Sequence, residues 1–299
     1  MPNPGTPTLD QLKVFLTVVD VGSFAGAARK LSRATSVISY TIANLENQLG
    51  VALFDRKTTR KPQLTQAGRT VLAEARTVTM GIDGLRAKVK GLLQGLEAEV
   101  HLVLDVMLPA ARVVDALKGF REAFPTVALH LHMEALGAVT QLVLDHAAAI
   151  GVSGPISAGV AGIERIRIGE VMLRPVAAPG HPLACGKPNL PGAGRHHVQL
   201  VLSDRSALTR GMDFAVISMH TWRLGDLGAK HMLLREGIGW GGMPEPMVQE
   251  DLDSGRLVLL DLPDFRGDLY PFDAIYRTDT PPGPAASWLI ERFSGQAAG

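Results

Sequence analysis

Residues 23–50 read SFAGAARKLSRATSVISYTIANLENQLG, and their spacing decides the fold of the first third of the chain. Ser23 is placed to cap a helix whose apolar face is Phe24, Ala27, Ala28 and Leu31. The small pair Ala27 and Ala28 lets another helix come close. After a short break at 32–34, the pattern predicts a second helix over 35–49, stopped by Gly50, a residue type suited to the position just past a helix. Ile38, Ile42, Leu45 and Leu49 recur at steps of four, three and four and so face a core. Thr35, Ser36, Ser39, Tyr40 and Ala43 fall elsewhere on the helix surface.

Upstream, Thr8 and Gln11 form a capping box for a helix carrying Leu9, Leu12, Phe15, Leu16 and Val19, closed by Gly22. Short helices followed by a tight turn and a helix that starts with small polar residues make a helix-turn-helix pattern. Such a motif puts the start of its last helix into the major groove of DNA. Small hydroxyl side chains suit that task, because they let the backbone approach and bond to phosphates or base edges. By spacing alone, an ordinary three-helix bundle fits equally well.

Downstream, residues 51–54 predict a short strand, and DRKTTRKP at 55–62 carries four basic residues within six positions at a turn. Leu64 returns the chain, so this reads as a basic hairpin wing lying on the phosphate backbone. Thr65 caps a fourth helix. Its apolar positions Val71, Ala75, Val78, Ile82, Leu85, Val89 and Leu92 form a heptad seam. Gly81, Gly84 and Gly91 each weaken that helix by about 1 kcal/mol relative to alanine, so pairing with a second copy is the simplest way to hold it. A two-fold dimer also suits DNA half-sites.

Charge is segregated in the same sense. The whole chain of 299 residues carries 30 basic and 29 acidic side chains, yet residues 1–95 hold 13 and 6 of them, leaving 17 and 23 for the remainder. A basic third beside an acidic remainder points to a polyanionic partner for the first part only. Residues 1–7 carry neither a positive start nor an apolar run, so no secretory signal is expected. No apolar run reaches the ~18 residues of a membrane span. Cys185 is the one cysteine and cannot form an internal disulfide, which fits a reducing cytoplasm; a redox role for it is the less common alternative.

The stretch from Leu9, Asp10, Gln11, Leu12 and Phe15 through Ser23, Phe24, Ala27, Ala28, Leu31, Ser39, Ile42, Leu45, Glu46, Leu49, Gly50, Leu53, Phe54 and Arg56 to Leu64, Thr65, Ala67 and Gly68 resembles the LysR-type transcriptional regulators. The resemblance implies a winged helix-turn-helix at 1–65, a linker and dimerisation helix at 66–95, and an effector-binding domain at 96–299, in a homodimer that often assembles as a tetramer. It further implies that the last domain is α/β and two-lobed, like the periplasmic binding proteins. Lobe I would take about 96–168 and 268–299, and lobe II about 169–267. The reading helix departs from the family, which often has Ser-Gln where this chain has Ala34 and Thr35, and a basic or amide residue at Tyr40 and Ala43. Thr35, Ser36, Ser39 and Tyr40 are therefore candidates for DNA contact on their own chemistry, with Arg56 and Arg60 as phosphate contacts from the wing.

The last two thirds read independently as two α/β units. A strand at 99–106, a helix with Leu108, Val113, Val114, Leu117 and Phe120, a strand alternating Val127, Leu129, Leu131 and Met133 with His130 and His132, a helix near 137–145 and a strand at 148–152 make the first. Residues 163–168 look like a crossing strand. The second unit includes strands at 198–203 and 214–219, and residues 272–276 with a helix near 285–293 return to the first lobe. Ligands in open α/β sheets sit beyond the carboxyl ends of strands. That picks out Asp105, Met107, Gly137, Ser153, Ser203, Asp204, Trp222 and Arg223 as candidate effector contacts. Arg223 would bind a carboxylate or pair with Asp226 or Glu236, and Trp222 would pack on a ring or belong to the core, whereas Trp240 reads as packing. Asp105 and Asp204 favour a ligand with donor groups, or cap helices.

No G-x-S-x-G, P-loop or H-E-x-x-H motif occurs. His196 with His197, and His130 with His132, lack a matched cluster of cysteines or carboxylates, so no metal site is expected, no cofactor and no enzyme activity. The expected function is a cytoplasmic, sequence-specific regulator binding double-stranded DNA, modulated by a small organic effector between the lobes. The alternative is a ligand-independent DNA-binding dimer whose second domain serves only oligomerisation.

Overall fold

A computed structural model describes residues 5–55, 62–93, 95–185 and 189–295. The chain divides into two compact units, Met1–Lys90 and Gly91–Gly299.

In the first unit, α1 (Leu9–Val21), α2 (Phe24–Lys30) and α3 (Thr35–Leu49) start and stop where the capping residues dictate. Thr8 Oγ1 accepts from the Gln11 N–H at 3.2 Å while Gln11 Oε1 accepts from the Thr8 N–H at 2.7 Å. Ser23 Oγ accepts from the Gly26 N–H, and Gly22 and Gly50 end α1 and α3 at φ 71° and 68°, where only glycine is unstrained. Val14, Phe15, Val18, Ala27, Ile38, Ile42, Leu45 and Leu53 are buried, and Phe54 meets Phe15 and Phe24 edge-on at 5.6 and 5.5 Å. Leu9, expected on the apolar face, is half exposed, because the buried arc of α1 is centred on Val14 and Val18.

The predicted strand at 51–54 is displaced. The Val51 N–H donates to the Glu46 carbonyl, and Glu46 Oε1 accepts from the Leu53 and Phe54 N–H groups at 2.7 and 3.2 Å. Those donors are no longer available to a ladder, so β1 is only Phe54–Asp55, paired antiparallel with β2 (Gln63–Leu64). Arg56 and Arg60 lie outside the described residues. Helix α4 (Gln66–Leu93) follows, with Thr65 Oγ1 accepting from the Gly68 N–H at 2.9 Å. Ala75 is buried, whereas Val78, Leu85, Val89 and Leu92 of the seam are exposed.

The second unit begins with β3 (Glu99–Asp105), α5 (Ala110–Ala123), β4 (Ala128–Glu134), α6 (Gly137–Leu144) and β5 (Ile150–Ser153). β3 lies parallel to both β4 and β5. Val114 of α5, expected in the core, is half exposed; Ala116 and Phe120 are buried instead. Leu131 and Met133 are also exposed, because β4 is the edge strand of its sheet. The chain then crosses on β6 (Ile163–Ala177), much longer than the predicted 163–168. It continues through β7 (Gln199–Leu202), β8 (Thr221–Leu224), α7 (Leu227–Arg235), β9 (Gly241–Pro244), α8 (Glu245–Asp253) and β10 (Val258–Leu259). It returns on β11 (Asp268–Arg277) and ends in α9 (Pro284–Gly295).

The main sheet runs β10-β6-β11-β5-β3-β4, with β9 also on β6, and β7 pairs β8 separately. β11 is antiparallel to β6 along its length, but the partner of Phe272 is Gly169 and that of Asp273 is Arg167. Ile168 is thus an extra residue, a β-bulge, followed by Gly169 at φ 128°. The bulge frees the Ile168 carbonyl for Arg112, which also donates to the Phe293 carbonyl, both at 2.8 Å. Before the bulge β6 lies beside the part of β11 that pairs with β5; after it, β6 also pairs with β9 and β10.

No strand forms at 214–219. Gln199, buried on β7, accepts from the Ile217 and Ser218 N–H groups at 3.0 Å each and donates to the Ala215 carbonyl at 2.8 Å. One amide side chain therefore satisfies this loop, and the strand follows at β8 instead.

Candidate DNA-reading helix and ligand cleft

The outward surface of α3 carries Thr35, Ser36, Ser39 and Tyr40, all exposed, with Tyr40 at 69%. Ala34 at the N-cap offers no side-chain acceptor, and the Val37 N–H already donates to the Ala34 carbonyl, so the Thr35 and Ser36 N–H groups are the ones left to meet a phosphate. The preceding turn is fixed by Arg33, which donates to both carboxylate oxygens of Asp10 at 2.8 and 2.7 Å. That pair holds Asp10 below the usual carboxylate range. Side chains that face the core hold the helix, while none of the four candidates is used for packing.

In the second unit the strand ends of the two lobes meet around adjoining cavities. One, of about 510 Å³, is lined by Ser203, Asp204, Thr209, Arg210, Asp213 and Arg223. The other, of about 350 Å³ and more apolar, is lined by Met107, Pro155, Phe214, Lys230, Phe265 and Tyr270. Leu136, Val201, Leu202, Asp213 and Phe214 border both. The walls approach closely here: a Cβ on Gly137 would fall 2.5 Å from Ser206 Oγ and 2.8 Å from Thr209 Cγ2, so a larger residue at the start of α6 would make these side chains shift.

Met107, Ser203 and Asp204 are therefore wall residues, as their place after strands suggested; Arg223 is one too, but from within β8 and not from beyond a strand at 214–219. Asp105 and Ser153 are not. Asp105 is fully buried, its Oδ1 accepting from the Met107 N–H and its Oδ2 from the Tyr270 hydroxyl, both at 2.8 Å. Burial pushes its pKa up to about 6, against those hydrogen bonds, with Asp204 adding to the rise. It supports Tyr270, which does line the cleft. Ser153 is buried against Thr140, hydroxyl to hydroxyl at 3.0 Å. Trp222 is half exposed and lines neither cavity, because alternation on β8 sends it away from the side that Arg223 takes. Arg223 pairs with neither Asp226 nor Glu236 but with Asp213, at 2.5 and 3.0 Å; Asp226 caps α7. Trp240 is fully buried core, as expected.

Two polar groups in the cleft lack full partners. Asp204 Oδ1 accepts from the Thr209 hydroxyl, but its buried Oδ2 has no donor among the described residues. Lys230 is buried, donates to the Gly242 carbonyl at 2.7 Å, and forms no ion pair among the described residues. Desolvation lowers its pKa to about 8. Neither Lys230 nor Tyr270 carried a signal in the sequence, since the topology alone brings α7 and β11 to this wall. No matched carboxylate cluster was expected at His130 and His132, yet the parallel register of β3 and β4 puts Glu99 Oε2 3.2 Å from His130 Nε2. The hint was that Glu99 with His101, and His130 with His132, are each two residues apart on a strand.

Comparison with known proteins settles the family. Residues 9–69 match the family described as bacterial regulatory helix-turn-helix protein, lysR family, and residues 93–298 match the LysR substrate binding domain. The chain belongs to the LysR family of transcriptional regulators. Among relatives of this LysR-type regulator, the HTH-type transcriptional activator AllS of Klebsiella pneumoniae is 31% identical, over 83% of this chain and 93% of that protein. The HTH-type transcriptional regulator AceR of Acinetobacter baumannii is 26% identical over 94% and 95%. Its fold is also that of full-length LysG of Corynebacterium glutamicum with bound effector Arg, at TM-score 0.52 and 20% identity over 97% and 98% of the two chains. CrgA of Neisseria meningitidis is similar at TM-score 0.51 and 20% identity over 97% and 99%. The LysR-type regulator thus joins a DNA-binding helix-turn-helix to a substrate-binding domain of mixed α/β structure.

Proposed function

We propose that this regulator reads operator DNA through Thr35, Ser36, Ser39 and Tyr40 of α3, and that a small organic effector in the cleft between the lobes controls the outcome. The observation that carries the effector reading is the buried Asp204 Oδ2 without a donor among the described residues, in the wall of the cavity that holds Arg223 and beside the adjoining one that holds Lys230. An unmatched buried acceptor costs about 1–3 kcal/mol, which a ligand donor would recover. Lys230 and Arg223 offer the complementary contact to a carboxylate, so a molecule bearing both a donor and an acid group fits best. Relative to an open cleft, such a ligand favours whichever lobe arrangement satisfies both groups at once, and it shifts the equilibrium only by that difference.

Assembly follows from α4. Its exposed seam from Val78 to Leu92 supports a dimer through this helix, with domains at 1–65, 66–95 and 96–299, and tetramer formation through the last. A cytoplasmic location goes with binding to chromosomal DNA in this reading, and no catalytic step is assigned to the protein.

A thermal-shift screen of small amino and organic acids, followed by footprinting of the promoter beside its own gene, tests the effector role. A hit should alter the footprint of the wild type. Lys230→Met should bind the same DNA with no response to that compound. An equal response in Lys230→Met would remove the cleft from the mechanism.

A further inference from the structure

We propose that Glu99, His101 and His130 form a binding site for a divalent transition metal, with zinc the best match, that clips the edge strand β4 to β3. The site stands at the opposite end of β3 from Asp105 and takes no part in the ligand cleft.

β3 and β4 run parallel with His101 opposite His130, and Glu99 precedes His101 by two residues, so all three side chains share one face. Glu99 Oε1 is 3.5 Å from His101 Nε2, and its Oε2 is 3.2 Å from His130 Nε2. All three ligand atoms lie within 4.8 Å of one another. Tetrahedral zinc with bonds of about 2.0–2.1 Å sets its ligand atoms about 3.3–3.4 Å apart. Each imidazole is thus near that spacing from one oxygen of Glu99, though not from the same oxygen, and the full set has to draw in from a span of up to 4.8 Å.

The donor set points the same way. Two imidazoles and a carboxylate suit zinc and its first-row neighbours, whereas calcium and magnesium take oxygen ligands. Among the described residues, the ion-pair partners of Glu99 are these two imidazoles and no lysine or arginine. A permanent cation at this carboxylate is lacking, and a metal supplies one. His132 continues the same face, its ring centre 6.5 Å from that of His101, and offers a fourth nitrogen where water does not fill that position.

Binding requires one adjustment. The His101 and His130 rings are stacked, 4.3 Å apart and 9° from parallel, and a metal must lie in the plane of each ring it binds. The two planes must open by rotation about the side-chain bonds. With side chains 37% and 49% exposed, both rings have room to turn. The effect on the fold is specific, because β4 is held to the sheet by β3 alone.

Cobalt(II) is the probe, used on untagged full-length protein stripped with a chelator. One equivalent per chain should give the intense visible absorption of four-coordinate cobalt, and zinc should bleach it. His101→Ala and His130→Ala should lose the signal, and Glu99→Gln should reduce it. A His196→Ala, His197→Ala double variant should keep it. Because both rings are half exposed, the variants should unfold at the wild-type urea midpoint in metal-free buffer, which separates loss of the site from misfolding. Zinc should slow hydrogen exchange of β4 amides in the wild type only. Unchanged stoichiometry in His130→Ala, a six-coordinate cobalt spectrum, or no cobalt binding by the wild type would each overturn the proposal.

Discussion

Replacing Asp105 by asparagine should make the second unit more stable at neutral pH while removing part of its response to acid. Asp105 is fully buried, so its charge is disfavoured, and its folded pKa stands at about 6 against an ordinary value of 3.8. Folding then takes up a proton between those two values. The raised pKa contributes stability that is fully present below about 4 and is lost as pH rises through about 6. A separation of about two pH units, at about 1.4 kcal/mol each, corresponds to about 3 kcal/mol. Asparagine stands in for the neutral acid at all pH values: its oxygen accepts from the Met107 N–H, and its amide can donate to the Tyr270 oxygen. The difference between variant and wild type should therefore rise by about 2–3 kcal/mol from pH 4 to pH 7, with some of the gain offset by the changed bond to Tyr270. The three tryptophans, Trp222, Trp240 and Trp288, all lie in the second unit. Urea unfolding followed by tryptophan fluorescence thus reports this unit alone, and the linear extrapolation supplies the free energies. A difference that stays flat across this range would refute the argument that Asp105 holds the proton.

Tyr40→Ala should cost about 1–3 kcal/mol of operator affinity if its side chain meets a base edge. Mobility-shift assays should show this loss with no change in thermal midpoint, because Tyr40 is exposed; unchanged affinity would remove it from the interface. Leu85→Asp should leave the chain folded, as this side chain is 58% exposed in the single chain, yet convert the dimer to a monomer by light scattering. A wild-type monomer, or a variant that still dimerises, would refute the seam. Gly68→Ala should destabilise the first unit by about 1–3 kcal/mol by far-ultraviolet circular dichroism, since a Cβ there would lie 2.1 Å from the Leu53 carbonyl oxygen.

Where one residue's chemistry acts on near neighbours, the sequence was readable. Thr8, Ser23, Thr65, Gly22 and Gly50 set their helix ends locally, and α3 came out over 35–49. The reading failed where a side chain distant in sequence outcompetes the local pattern. Glu46 takes the N–H groups that would have built a strand at 51–54, and Gln199 takes those of the apolar run at 214–219. The cleft was half legible for a related reason. Strand ends can be found by alternation, which gave Met107, Ser203 and Asp204; Arg223 was placed beyond a strand at 214–219 that does not form and reaches the cavity from within β8, whose packing turns Trp222 away. Lys230, Tyr270 and Glu99 depend on pairings between strands and helices that no short window contains.

The bulge at Ile168 gives the second unit a mechanical character. β6 and β11 pass unbroken from one lobe to the other as a two-ply ribbon, so the lobes cannot slide past each other without tearing a ladder. What the ribbon permits is flexure at the place where its registry skips, next to Gly169. Arg112 bridges this point from α5 to the Ile168 carbonyl and to the end of α9. Arg112 lines neither cavity, so the brace across the place where the registry skips stands outside the cleft.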